Sequence, residues 1–97
     1  KHIGKLLMNI TFSIHFLRDK EDYSGTFAEK NMNLDFLPFI GMKIRYDWID
    51  SEITDVEAGI DEERHIHVTL KPLPLDGEIW DKTIERLKTD GWSVKGN

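Results

Sequence analysis

One long segment near the start of the chain alternates between apolar and polar residues. Its apolar positions are Leu6, Met8, Ile10, Phe12, Ile14 and Phe16. A period of two that continues for this long, with many branched and aromatic side chains, predicts a β-strand with one face in the core. We therefore expect the even-numbered side chains to be buried and the odd-numbered ones to meet solvent or a second layer.

Four further segments predict strands, although their patterns are less regular. In residues 26–34 the apolar side chain of Phe27 is at an odd position, whereas those of Met32 and Leu34 are at even positions. This change in the alternation predicts a bulge near residues 28–30. The next three strands are indicated by Met42, Ile44, Tyr46 and Trp48, then by Ile53, Val56, Ala58 and Ile60 with an irregularity near Thr54, and finally by Ile66, Val68 and Leu70. Pro72 and Pro74 are expected to end the sheet region near residue 71, because neither has the N–H group that a ladder needs.

A loop and a helix complete the predicted elements. Residues 34–42 (LDFLPFIGM) predict a buried crossing loop, because Pro38 and Gly41 interrupt a dense apolar run. A helix is predicted for about residues 77–90, with Asp76 as its N-cap and Gly91 after its last turn. Its apolar stripe consists of Ile79, Trp80, Thr83, Ile84 and Leu87. In the tail, residues 91–97, Trp92 and Val94 are expected to return to the body as an anchor or a short edge strand.

These elements predict a single domain, residues 1–97, of the mainly β (α+β) class. We expect a small, strongly bent five-stranded antiparallel sheet or an SH3-like barrel, with one C-terminal α-helix packed on it. A flat sheet that carries one helix is the alternative. The corner LPFIGMKI resembles those of short bacterial barrel domains at the level of pattern, without pointing to a named family.

The composition narrows the class of protein. There is no cysteine, which removes disulfide and thiolate chemistry and favours a reducing compartment, so we expect a cytoplasmic protein. No apolar run approaches the roughly 18 residues that span a bilayer, and residues 1–7 lack the apolar core of a secretory signal. The net charge of −5 disfavours a nucleic-acid partner, because phosphate contacts need clustered lysine and arginine.

The main charge feature is an acidic segment between Tyr46 and Arg64 that contains no lysine or arginine. Its carboxylates are Asp47, Asp50, Glu52, Asp55, Glu57, Asp61, Glu62 and Glu63. The net charge of this segment is −8 and that of the whole chain is −5, so the remaining residues have a net charge of +3. Such asymmetry can steer a basic partner toward one face. Trp92, expected to be the most exposed tryptophan, joins this candidate binding surface. A solvated hairpin that only maintains solubility is the alternative.

The histidines are candidate metal ligands. His65 and His67 lie two residues apart on the predicted fifth strand, so both rings point to one face about 7 Å apart. Such a pair binds zinc or copper when a further ligand is available, and His15 on the first strand is the candidate. Outward-facing polar positions are the simpler interpretation.

Catalytic signatures are not found in the sequence. No serine lies in a nucleophile motif, and no glycine-rich loop is present. We therefore expect no enzyme activity and no cofactor. The sequence favours a non-catalytic protein-interaction or regulatory domain of bacterial or phage type, whose acidic hairpin contacts a protein with a basic face. The alternatives are a metal-binding module built on His65 and His67, and a structural accessory domain.

Overall fold

The computed structural model of the chain describes residues 8–18, 25–60 and 65–96. Within these residues there are six strands, one α-helix and one short 3-10 turn. The strands are β1 (Met8–Arg18), β2 (Phe27–Leu34), β3 (Lys43–Tyr46), β4 (Ile49–Ala58), β5 (Ile66–Leu75) and β6 (Ser93–Lys95). The 3-10 turn, Gly77–Ile79, leads directly into the helix α1 (Trp80–Thr89).

The strands form one mixed, open sheet in the order β3-β4-β5-β1-β2-β6. Each neighbouring pair is antiparallel except β1 and β5, which run parallel. The mainly β class and the C-terminal helix are confirmed. The expectation of a purely antiparallel five-stranded sheet or a closed barrel is wrong, because the period of two specifies which side chains face the core but not the direction or neighbour of a strand.

The inner face of the sheet forms a single core with α1. Its central members are Ile10, Phe12, Ile14 and Phe16 of β1, each at most 3% exposed, together with Trp80, Ile84 and Leu87 of α1. These are the predicted core face of the first strand and the predicted stripe of the helix. Full burial of a side chain of this size stabilises a fold by roughly 1.5–3 kcal/mol.

The end of α1 is fixed by backbone hydrogen bonds typical of a Schellman motif. The N–H of Trp92 donates to the carbonyl of Leu87 at 2.9 Å, and the N–H of Gly91 donates to that of Lys88 at 3.1 Å. Gly91 has a φ of 92°, a conformation that glycine adopts without strain. The predicted helix stop is therefore confirmed.

Trp92 is buried, contrary to the expectation that it is the most exposed tryptophan. Only 4% of it is exposed, and its ring packs edge-on against Tyr46 with centroids 5.8 Å apart. The Schellman turn explains this placement, because it sends the chain back to the sheet, where β6 pairs with β2. Trp92 therefore belongs to the core and does not form part of an outer binding surface.

β2 is regular, so the bulge expected near residues 28–30 is wrong. The β1–β2 ladder runs without a register shift from His15 opposite Phe27 to Met8 opposite Leu34. Phe27 breaks the alternation of apolar residues because it lies on the outer face of the sheet, where its ring centroid is 5.3 Å from that of His15. The irregularity predicted near Thr54 is confirmed by a register shift in the β4–β5 ladder.

β5 continues through Pro72 and Pro74, so the expectation that these prolines end the sheet is wrong. Backbone pairing with β4 stops at Leu70, whereas pairing with β1 continues to the end of β5. This part of β5 therefore has only one neighbouring strand. A residue without an N–H group is tolerated there, as it is on an edge strand.

We expect Ile14→Asp to unfold the domain, because Ile14 lies at the centre of β1 with no exposed surface. An unpaired buried carboxylate costs several kcal/mol, a large part of the roughly 5–15 kcal/mol that stabilises a small domain. Ile60→Asp is the matched control, since Ile60 is 94% exposed. Thermal melts followed by circular dichroism test this, and overlapping curves for Ile14→Asp and wild type would contradict the assigned core face.

Candidate functional site

Residues 35–37 and 39–41 are exposed and Pro38 alone is buried, so the expectation of a buried crossing loop is wrong. The side chains that we call the apolar loop, Phe36, Leu37, Phe39 and Ile40, are 44%, 68%, 58% and 63% exposed. The helix does not cover them because α1 begins at the other end of β1, where the Arg18 guanidinium lies 5.7 Å from the Trp80 ring centroid. The expected coverage of this loop by the helix is therefore wrong.

An apolar cavity of about 330 Å³ adjoins the apolar loop on the inner face of the sheet. Five strands contribute to its lining, which includes Phe12, Met32, Leu34, Ile44, Ile49 and Leu70. β2 and β3 are separated by three strands in the sheet order, yet both line this cavity, so the sheet curls strongly. Trp92 completes the lining, and its buried indole N–H has no hydrogen-bond partner in the described part of the chain.

The β3–β4 hairpin is held over the inner face by contacts at its turn. Asp47, the first residue of the turn, has a φ of 55°, a conformation that aspartate tolerates better than most residues. The Asp47 carboxylate accepts a hydrogen bond from the Arg86 guanidinium of α1 at 3.0 Å. Trp48, the second turn residue, packs against Phe16 with ring centroids 6.1 Å apart. The helix and the central strand therefore fix one wall of the cavity.

Lys30 connects β2 to the end of α1. Its ammonium group donates a hydrogen bond to the backbone carbonyl of Asp90, lies 3.8 Å from the Asp90 carboxylate and lies 5.2 Å from the Tyr46 ring centroid. The last carbonyl groups of a helix carry partial negative charge, so a cation is favourable at this position. Lys30 therefore ties together β2, β3 and the C-terminus of α1.

The acidic segment is partly neutralised by the protein's own cations. Asp47 pairs with Arg86 at 3.0 Å, and Asp50 lies 3.6 Å from Arg45. Glu52 lies opposite Lys43 in the β3–β4 ladder, but the two side chains form no ion pair. These cations come from outside the acidic segment, so the charge pattern along the sequence did not reveal the pairing.

Asp55 and Glu57 are two acidic residues of this segment whose side chains face solvent. Both are exposed on β4, and neither forms an ion pair with any described residue. They lie opposite Thr69 and His67 in the ladder. The remaining predicted acids, Asp61, Glu62 and Glu63, lie outside the described residues.

The predicted histidine pair lies on the outer face of the sheet. The ring centroids of His65 and His67 are 6.5 Å apart, close to the expected separation. The Thr11 hydroxyl donates its single proton to the Asn31 side-chain oxygen at 2.5 Å and lies 2.6 Å from Nε2 of His65. The Nε2 atom of His65 is therefore engaged in a hydrogen bond with the Thr11 hydroxyl.

Among the described side chains, no third metal ligand completes a site with this pair. His67 lies 4.0 Å from the Glu29 carboxylate, and His15 packs on Phe27 instead. No group of three histidine, cysteine or carboxylate side chains with metal-site geometry occurs in residues 8–18, 25–60 and 65–96. The geometry therefore does not favour the metal-binding alternative.

We expect untagged protein to contain no stoichiometric zinc, copper or nickel, because the Nε2 atom of His65 is used by Thr11. Elemental analysis after purification from metal-supplemented medium tests this. His65→Ala with His67→Ala is the comparison. Stoichiometric metal in wild type that is lost in the double variant would restore the metal-binding hypothesis.

Lys30→Met should lower the free energy of unfolding by about 1 kcal/mol, since it removes a cation from the C-terminus of α1. The matched control is Lys95→Met, whose ammonium group is more exposed and lies 3.4 Å from the Glu29 carboxylate. A surface pair of that kind contributes between zero and about 1 kcal/mol. Urea titrations measure both, and equal losses would contradict a special role for Lys30.

Comparison of the chain with protein-family models, with curated proteins and with solved structures gave no match in any of the three. Among the described residues, no helix is both long and apolar enough to cross a membrane. The apolar loop, the cavity and the surrounding charges are the features of this chain that indicate a function.

Proposed function

We propose that this chain is a non-catalytic protein-interaction domain that binds a partner through the apolar loop and the adjoining cavity. The observation that carries the proposal is the exposure of four large apolar side chains, between 44% and 68%, beside a cavity of about 330 Å³. Contiguous exposed apolar surface of this kind marks binding sites on small proteins. Aromatic side chains such as Phe36 and Phe39 are typical anchors of an interface.

The apolar loop is held in a defined shape, which favours binding. The N–H of Gly41 donates to the carbonyl of Ile53 at 2.8 Å, and the N–H of Met42 donates to that of Phe39 at 3.0 Å. Pro38, in the middle of the loop, is buried. Because the loop is already ordered, a partner loses little of its binding free energy to ordering it.

The chemistry of the cavity supports binding and not catalysis. Its lining is mainly apolar, with Tyr46 on the inner side of β3 and with Lys43 and Arg45 bordering the cavity from the outer side of that strand. A pocket of this composition binds apolar groups and offers no acid–base pair to activate a nucleophile. The lack of a nucleophile motif in the sequence agrees with this proposal.

Within the predicted acidic hairpin, Asp55 and Glu57 are the residues that we propose attract a basic partner. Their carboxylates are exposed and have no ion pair in the described part of the chain. A basic region of the partner would be attracted to them, which raises the association rate at low salt. In this proposal the apolar loop supplies affinity, and the unpaired acids of β4 supply steering.

Selection from a displayed library of random peptides tests the proposal. Wild-type protein should enrich a set of sequences, and the double variant Leu37→Asp, Phe39→Asp should not, because it places charge on the apolar loop. Ile60→Asp is the control for an added carboxylate on an exposed isoleucine, and it should enrich the same set as wild type.

All three proteins should have similar melting temperatures, since the substituted side chains are exposed. Equal enrichment by wild type and the double variant would overturn the proposal. Failure of wild type to enrich any sequence would overturn it as well.

A further inference from the structure

We infer that the partner binds as an extended segment that enters between β2 and β3 as an added strand, with acidic side chains at alternate positions. This inference rests on the proposed function and specifies the partner. It follows from the unpaired strand edges beside the cavity, from the direction of their backbone groups and from the charges that flank them.

Two strand edges beside the cavity have no partner strand within residues 8–18, 25–60 and 65–96. β6 pairs with β2 only at Phe27, Ala28 and Glu29, so residues 30–34 of β2 have no described neighbour on that side. β3 pairs with β4 and with no other described strand. Both open stretches line the cavity, through Met32 and Leu34 on β2 and through residues 43–46 on β3.

On β2, the pairing with β1 shows which backbone groups face the open edge. The N–H of Phe16 donates to the carbonyl of Thr26 at 3.0 Å, and hydrogen-bonded pairs recur at every second residue of an antiparallel ladder. Even-numbered residues of β2 therefore bond to β1. The N–H and carbonyl groups of Asn31 and Asn33 point away from β1, toward the open edge.

On β3, the two-residue turn fixes the same alternation. Tyr46 and Ile49 flank the turn and form a hydrogen-bonded pair, and so do Ile44 and Ser51 two residues further along. The N–H and carbonyl groups of Lys43 and Arg45 therefore point away from β4. Each open edge thus presents two residues whose backbone groups are ready to pair with an added strand.

The cavity would receive the inward side chains of the added strand. Side chains of a strand alternate between two faces, so every second residue would enter the apolar space between Met32 and Ile44. Phe12 and Leu70 form part of its lining and would contact them. Apolar residues are therefore expected at these positions of the partner.

The outward side chains of the added strand would meet cations. Lys43 and Arg45 are exposed on the outer side of β3, and Lys43 has no ion pair with a described residue. Arg45 lies 3.6 Å from Asp50, but its side chain is 82% exposed, so solvent screens this pair. Acidic residues in the partner would be favourable here, whereas a second copy of β3 would place like charges together.

Two synthetic peptides of the same composition test the inference. In one, valine and glutamate alternate; in the other, the same residues stand in two blocks. The alternating peptide should bind at least about tenfold more tightly, since only it can pair its backbone with its apolar side chains in the cavity. It should also slow amide hydrogen exchange at Asn31, Asn33, Lys43 and Arg45.

The variant Arg45→Pro removes one N–H group from the open edge and leaves the β3–β4 hydrogen bonds in place. Arg45→Ala is its matched control, because it removes the charge but keeps the N–H. Arg45→Pro should weaken the alternating peptide about tenfold more than Arg45→Ala does. Amide spectra of both variants verify the fold, and an alternating peptide with N-methyl groups on its backbone gives a second measurement should Arg45→Pro unfold.

Equal affinity of the two peptides, or binding without slower amide exchange, would overturn the added strand. Absence of binding by both peptides would overturn it too. The random-peptide selection judges the proposed function separately. Enriched sequences that lack alternation and depend on Leu37 and Phe39 would support the proposed interaction domain and would overturn the added strand.

Discussion

The fold depends on keeping the inner face of β1 away from water. β1 has a neighbouring strand on each side, and its apolar side chains fill the centre of the core. α1 covers this face near Arg18, and Trp48 of the β3–β4 turn covers a further part over Phe16. The cavity is the part of the inner face that neither the helix nor the turn fills, which is why it adjoins the apolar loop at the other end of β1.

Local patterns predicted the elements better than their arrangement. The alternation in β1, the irregularity at Thr54 and the glycine after α1 are each specified by a few neighbouring residues, and all three are confirmed. The parallel pairing of β1 with β5 joins segments that are far apart in sequence, and no local pattern encodes it. The burial of Trp92 and the exposure of Phe39 depend on where α1 lies, so the sequence pattern misjudged both.

The surface charge of the candidate site was likewise harder to predict than the residues that make it up. Eight acids between residues 47 and 63, with no lysine or arginine among them, suggested one negative face, but Arg45 and Arg86 approach that segment from a neighbouring strand and from the helix. The charge that remains on the surface is set by topology as much as by composition. The density of apolar residues between Phe36 and Ile40 was the useful signal in the sequence, although it predicted a buried loop.

The parallel pairing also determines when the domain can become complete. The β1–β2 hairpin is local and can form early, but the other edge of β1 stays open until residues 66–75 arrive at its side. Contacts between distant segments slow folding, because the intervening chain must lose entropy before they form. During synthesis on the ribosome, the sheet therefore stays incomplete until residues 66–75 have been made. Over that time the open edge of β1 is the surface that molecular chaperones would protect.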